Sequence, residues 1–156
     1  MTTSYNTCKN IFALVPTVAK DENDNDSVYV SVAYGETYHL DDKTNLIPDK
    51  ENIRICYEYP LTVPCIKTFQ IPPNGFTQKQ LVLIVQRGYK EIYDEENTSS
   101  SIAEQPMSQA YPGCGLVNRC ETNGVHGIWG HSIGDLYLHT LTYDNSADVF
   151  HVGVDS

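Results

Sequence analysis

The chain has 156 residues, 40% of them apolar, which suffices for one domain with its own core and excludes a disordered segment. Its 20 acidic and 10 basic side chains give a formal charge of −10 with no local basic cluster. That balance argues against a nucleic-acid or anionic-membrane partner and suits a soluble protein.

From the start of the chain, Ile11 to Ala19 is an apolar stretch with the pattern of a first strand, in which Pro16 marks an edge or bend. Lys20 to Ser27 is a polar turn, and Val28 to Tyr34 is a β-branched and aromatic strand, so the two read as a hairpin. Asp21 to Asp26 begins like a calcium loop. It lacks the glycine at the sixth position and the terminal glutamate, and strands flank it instead of helices. Thr37 to Glu51 is a polar connection, followed by two further strands at Ile53 to Tyr59 and Cys65 to Ile71.

Pro72-Pro73-Asn74-Gly75 breaks the chain, and Thr77 with Gln80 three residues on forms a capping box that starts a helix. Leu81, Val82, Ile84, Val85, Tyr89, Ile92 and Tyr93 recur at helical spacing and define one buried face continuing to about Glu96. Gly88 costs that helix about 1 kcal/mol relative to Ala unless a neighbour needs the room. From about 97 to 135 the chain is irregular, which is too long for an idle connection in a compact domain. Leu136 to Tyr143 and Val149 to Val154 are strands joined by a hairpin loop at 144–148. The expected fold is therefore a single α+β domain over 1–156. It has a mostly antiparallel sheet of five or six strands and one main helix, at about 77–96, packed on a face.

Five cysteines (Cys8, Cys56, Cys65, Cys114, Cys120) and a start without a basic-then-apolar leader favour reduced thiols in a cytoplasmic-type, intracellular setting. In that setting the Asn25 and Asn97 acceptor patterns are idle, and no apolar run has the length of a membrane span.

The densest region for chemistry is Gly127 to Leu136, which holds the only tryptophan, Trp129. Gly130-His131-Ser132-Ile133-Gly134 matches the Gly-x-Ser-x-Gly nucleophile elbow, but the residues after it read as strand where that motif requires a helix. The glycines instead suit tight backbone turns around Trp129. Cys114, Cys120, His126 and His131 supply the donor types of a tetrahedral zinc, at spacings wider than usual ligand pairs. Cys120, His131 and Asp135 supply the types of a thiol nucleophile, its base and an orienting carboxylate. His139 and His151 lie on the two last strands, facing or not according to a register the sequence leaves open.

The helix phrase Gly88 to Glu96, followed by Gly127-Ile128-Trp129-Gly130-His131 and Asp135-Leu136, resembles a group of small proteins of microbial eukaryotes and large DNA viruses. That group carries a Tyr-Asp-Glu-Glu helix end and an Ile-Trp-Gly-His-x-x-x-Asp-Leu run. The resemblance spans the second half of the chain; it implies a defined fold and a Trp-Gly-His corner, and it transfers no activity. If the viral side of the resemblance holds, a virion or host-directed role follows from it.

The reading that results is a non-enzymatic interaction module for a protein partner, with no cofactor. Eleven tyrosines, an acidic surface and a long specific loop support it. Trp129, Gly130, His131 and Asp135 are its binding or loop-anchoring residues. Trp129 pins the loop to the sheet, and His131 and Asp135 hold the turn that launches the last hairpin. The alternative is a small hydrolase-like enzyme using Cys120, His131 and Asp135, or a metal in the 114–135 loop.

Overall fold

The computed structural model describes residues 12–13, 29–33, 40, 42–43, 51–107, 118–144 and 146–156. Cys8, Asn25, the Asp21 to Asp26 run, Cys114 and most of the strand read at 11–19 lie outside the described residues. Among the described residues there are six strands, β1 (Phe12–Ala13), β2 (Val30–Ser31), β3 (Asn52–Tyr57), β4 (Cys65–Gln70), β5 (Tyr137–Asp144) and β6 (Val149–Asp155). The one α-helix among the described residues, α1 (Gln78–Ser99), follows β4. The sheet order is β1-β5-β6-β3-β4, with β2 also paired to β5. Among the described strands β3 and β6 pair in parallel and the other pairings are antiparallel. The α+β architecture expected from the sequence is the one observed.

The first two strands differ from expectation. They do not form a hairpin among the described residues. Phe12 lies opposite Leu141 and Val30 opposite Leu138, so both segments run antiparallel to β5 and share its outer edge. The cause lies in β5, whose buried Leu138 and Leu141 belong to the same core as Val30 and Val32. Lying along β5 is how the second segment reaches that core.

The capping box forms as read: the Gln80 amide donates to Thr77 Oγ1 at 3.2 Å and the Thr77 amide to Gln80 Oε1 at 2.9 Å. Leu81, Val82, Val85, Tyr89 and Ile92 point inward from α1 against Ile53, Ile55 and Tyr57 of β3. Gly88 earns its place there, because a Cβ at that position would overlap the Tyr57 hydroxyl. With that room, Tyr57 and Tyr89 meet edge to face at 4.9 Å, and the Tyr89 hydroxyl donates to the Tyr59 carbonyl at 2.8 Å. Gln86 Nε2 donates to the Ser31 carbonyl at 2.8 Å, tying α1 to β2. The helix runs past Glu96 to Ser99, and in its last turn the Thr98 and Ser99 hydroxyls bond back to the Asp94 and Glu95 carbonyls, at 2.8 and 2.7 Å. Among the described residues, no helix is long and apolar enough to cross a membrane.

Candidate functional site

The loop that follows α1 is organised by one carboxylate. Glu96 lies three residues after Tyr93 and four after Ile92, so helical spacing carries it onto the buried face, where it is fully enclosed. It accepts hydrogen bonds from Thr122 Oγ1 at 2.7 Å and from the amides of Gly124, His126 and Gly127 at 2.8, 2.8 and 3.1 Å. The Ile128 amide stands slightly farther away, at 3.4 Å. Burial acts to raise the carboxyl pKa, but the Thr122 hydroxyl and these amides outweigh it and hold Glu96 at about 2. The backbone from 122 to 128 thus wraps an anion at the end of α1. Glycine is required in two places: a Cβ on Gly124 would overlap the Glu96 carboxylate, and Gly127 has φ +62° against Thr62.

The neighbouring contacts finish the wrap. Arg119, with no exposed surface, stacks its guanidinium 5.2 Å from the Tyr93 ring centre and donates from Nη2 to Thr122 Oγ1 at 3.2 Å. Its Nη1 lies 3.3 Å from Glu104 Oε2, close enough for an ion pair although not aligned as a hydrogen bond. Arg119 and Gly130 exchange backbone bonds of 3.0 and 3.1 Å, and Ile128 bridges to Leu61. His126 is buried, with Nε2 2.7 Å from Glu95 Oε2, and Glu95 also takes the Lys67 ammonium at 2.8 Å. The Lys67 bond first, and the His126 bond second, hold the Glu95 carboxyl below its usual range.

One residue beyond Ile128 the chain turns outward. Gly130, at φ +73°, centres a three-residue turn closed by the His131 amide on the Trp129 carbonyl at 2.8 Å. Trp129 is 40% exposed, while Ile128 is fully buried, so the loop is anchored by Ile128, Arg119 and Glu96 rather than by the indole. The indole instead meets the Tyr59 ring edge to face at 5.6 Å, and the His131 ring completes the trio at 5.7 Å from Tyr59 and 6.2 Å from Trp129. Ser156 Oγ sits 2.9 Å from the Tyr59 hydroxyl and 3.1 Å from His131 Nε2. Beside this cluster opens a groove of about 810 Å³ lined by Tyr29, Tyr59, Tyr137, Val154, Asp155 and Ser156. Tyr29 and Tyr137 are 52% and 43% exposed. His139 flanks the groove, edge to face with Tyr29 at 6.1 Å and with Nε2 3.7 Å from Asp155 Oδ1.

The candidate sets drawn from the sequence land in different places. Asp135 accepts the Ser132 amide at 2.9 Å across the short turn at Ile133–Asp135 that precedes β5. Its carboxylate is 4.0 Å from His131 Nδ1, beyond hydrogen-bonding range. Cys120 is buried with its sulfur 3.9 Å from the Pro106 carbonyl and 3.6 Å from the Met107 sulfur, and no hydrogen bond joins it to His131. Cys120, His126 and His131 accordingly face three different neighbourhoods, and Cys114 lies outside the described residues. Ser132 donates to Glu104 at 3.0 Å and precedes a single short turn and a strand, so the elbow geometry is absent there. His139 and His151 do not face each other: His151 is opposite Thr142, and His139 lies against Gly153 beside a register shift in β5.

Tyr29, Tyr59, Tyr137, Asp155 and Ser156 were not singled out by the sequence, because the residues of the groove come from four separate stretches of chain. The excess of tyrosine was the available signal. No known protein family, curated protein or solved structure matches this chain.

Proposed function

We propose that the protein is a non-enzymatic interaction module that holds an extended, arginine- or lysine-bearing segment of a protein partner in the tyrosine groove. The exposure of Tyr29, Tyr137 and Trp129 in one neighbourhood carries this reading, since single exposed aromatics are ordinary and an exposed group of them is not. Aromatic faces attract cationic side chains, and the Asp155 carboxylate in the wall supplies the ion-pair partner. A chain with formal charge −10 favours the approach of a basic segment and disfavours an acidic one.

Trp129 is the sole tryptophan and stands against Tyr59 in the groove wall, so its fluorescence is a reporter of occupancy. Titration with extended arginine-containing peptides is expected to change the emission saturably, more weakly with lysine in place of arginine and not at all with glutamate. Tyr137→Ala and Asp155→Asn are each expected to weaken binding by about tenfold, corresponding to about 1.4 kcal/mol. Equal responses to basic and acidic peptides, or wild-type affinity in both variants, would overturn the proposal. The second reading, a small hydrolase-like enzyme, is favoured by one observation, the Ser156 hydroxyl 3.1 Å from His131 Nε2. Ester turnover lost in His131→Ala is its signature.

A further inference from the structure

We infer that Cys56, Glu58 and His151 form a mononuclear zinc site on the face of the sheet opposite α1. Side chains alternate along a strand, and in β3 the residues Ile53, Ile55 and Tyr57 turn into the core beneath the helix. Cys56 and, two residues on, Glu58 therefore turn to the other face. β6 runs parallel beside β3 with His151 in register with Cys56, while its neighbours Phe150 and Val152 enter the core. Strand pairing thus brings Cys56 and His151 together, and Glu58, one residue beyond the end of β3, reaches His151 beside them.

The thiol, one carboxylate oxygen and one imidazole nitrogen all lie within 4.8 Å of one another, and His151 Nδ1 is already 3.1 Å from Glu58 Oε2. Bonds of about 2.0–2.3 Å in a tetrahedron set donor separations of roughly 3.5 Å, which rotation of the exposed Glu58 side chain and a small shift of His151 can supply. Sulfur with imidazole selects zinc over calcium or magnesium, and the two anionic donors balance its charge. The thiol is buried to 6% exposure between Ile66 and His151, a low-dielectric setting that strengthens a metal–thiolate bond. On binding, the sulfur–zinc bond forms as the thiol proton leaves to solvent. Three protein donors leave the fourth position to water, the arrangement of zinc sites that stay open to a further ligand.

The test is a Co²⁺ titration of the full chain, purified without chelator or metal-loading tag and kept reduced, followed by competition with Zn²⁺. A thiolate-to-cobalt charge-transfer band saturating at about one ion per chain, and displaced by Zn²⁺ but not Ca²⁺, is expected. Cys56→Ser is expected to abolish the band. Glu58→Gln and His151→Gln, at partly exposed positions that leave folding intact, are expected to weaken Co²⁺ binding by at least about tenfold, since even outer partners of metal ligands cost that much. Absence of the band, its persistence at wild-type affinity in Glu58→Gln and His151→Gln, or its loss in Cys120→Ser instead would each overturn the assignment.

Discussion

Ile128 and Trp129 are adjacent in the chain and opposite in character. Up to Ile128 the loop is wrapped around the Glu96 carboxylate, with its amides directed to one buried anion and the Ile128 side chain in the core. At Trp129 the indole turns outward, 40% exposed, and meets the rings of Tyr59 and the largely covered His131 beside a groove. The difference shows a division of labour within ten residues. Buried polar bonds fix the backbone, and that backbone presents a half-exposed indole beside the groove.

Breaking the inner half should have the largest effect. Glu96→Ala leaves several buried amides without an acceptor and is expected to cost roughly 3 kcal/mol or more of unfolding free energy in denaturant titration. A loss under 1 kcal/mol would show that water replaces the carboxylate. Acid should act on the same contact. The folded-state pKa of Glu96 is depressed from 4.5 to about 2, so its contribution, about 3 kcal/mol, is complete above pH 4.5 and falls away as pH drops through 2. Glu96→Gln is expected to flatten that part of the pH–stability profile, and an unchanged profile would locate acid sensitivity elsewhere.

The sharpest form of the contrast is a pair of truncations one residue apart. Ile128→Ala is expected to cost about 2–4 kcal/mol, as for a fully buried aliphatic side chain. Trp129→Ala is expected to cost under about 1 kcal/mol while diminishing peptide binding in the groove. Equal losses of stability at the two positions would erase the distinction between anchor and contact surface.

Much of the scaffold was legible from local signals. Thr77 with Gln80 marked the start of α1, the apolar stripe marked its buried face, and the alternation in the last hairpin marked β5 and β6. Gly88 was legible as a cost needing a neighbour, and the Tyr57 hydroxyl is that neighbour. Glu96 was legible in principle, as an acid at the next buried position of the stripe, but a carboxylate at a helix end ordinarily faces water. Its meaning depends on amides some thirty residues away. The early hairpin failed because two apolar segments close in sequence resemble partners, whereas β5, more than a hundred residues later, pairs with both. The same distance hid the groove and the pairing of Cys56 with His151, which only the parallel β3–β6 register brings about.

That register has a further consequence. β6 comes last of the six strands in sequence yet lies between β5 and β3, the middle of the sheet. During synthesis the β3–β4 pair can form early and β5 can gather its edge partners, but each presents an open row of amides and carbonyls until β6 slots between them. Among the described strands the one that joins the two halves of the sheet is thus the last to be made, and a chain cut short of Val149 is expected to leave β5 and β3 without their common neighbour.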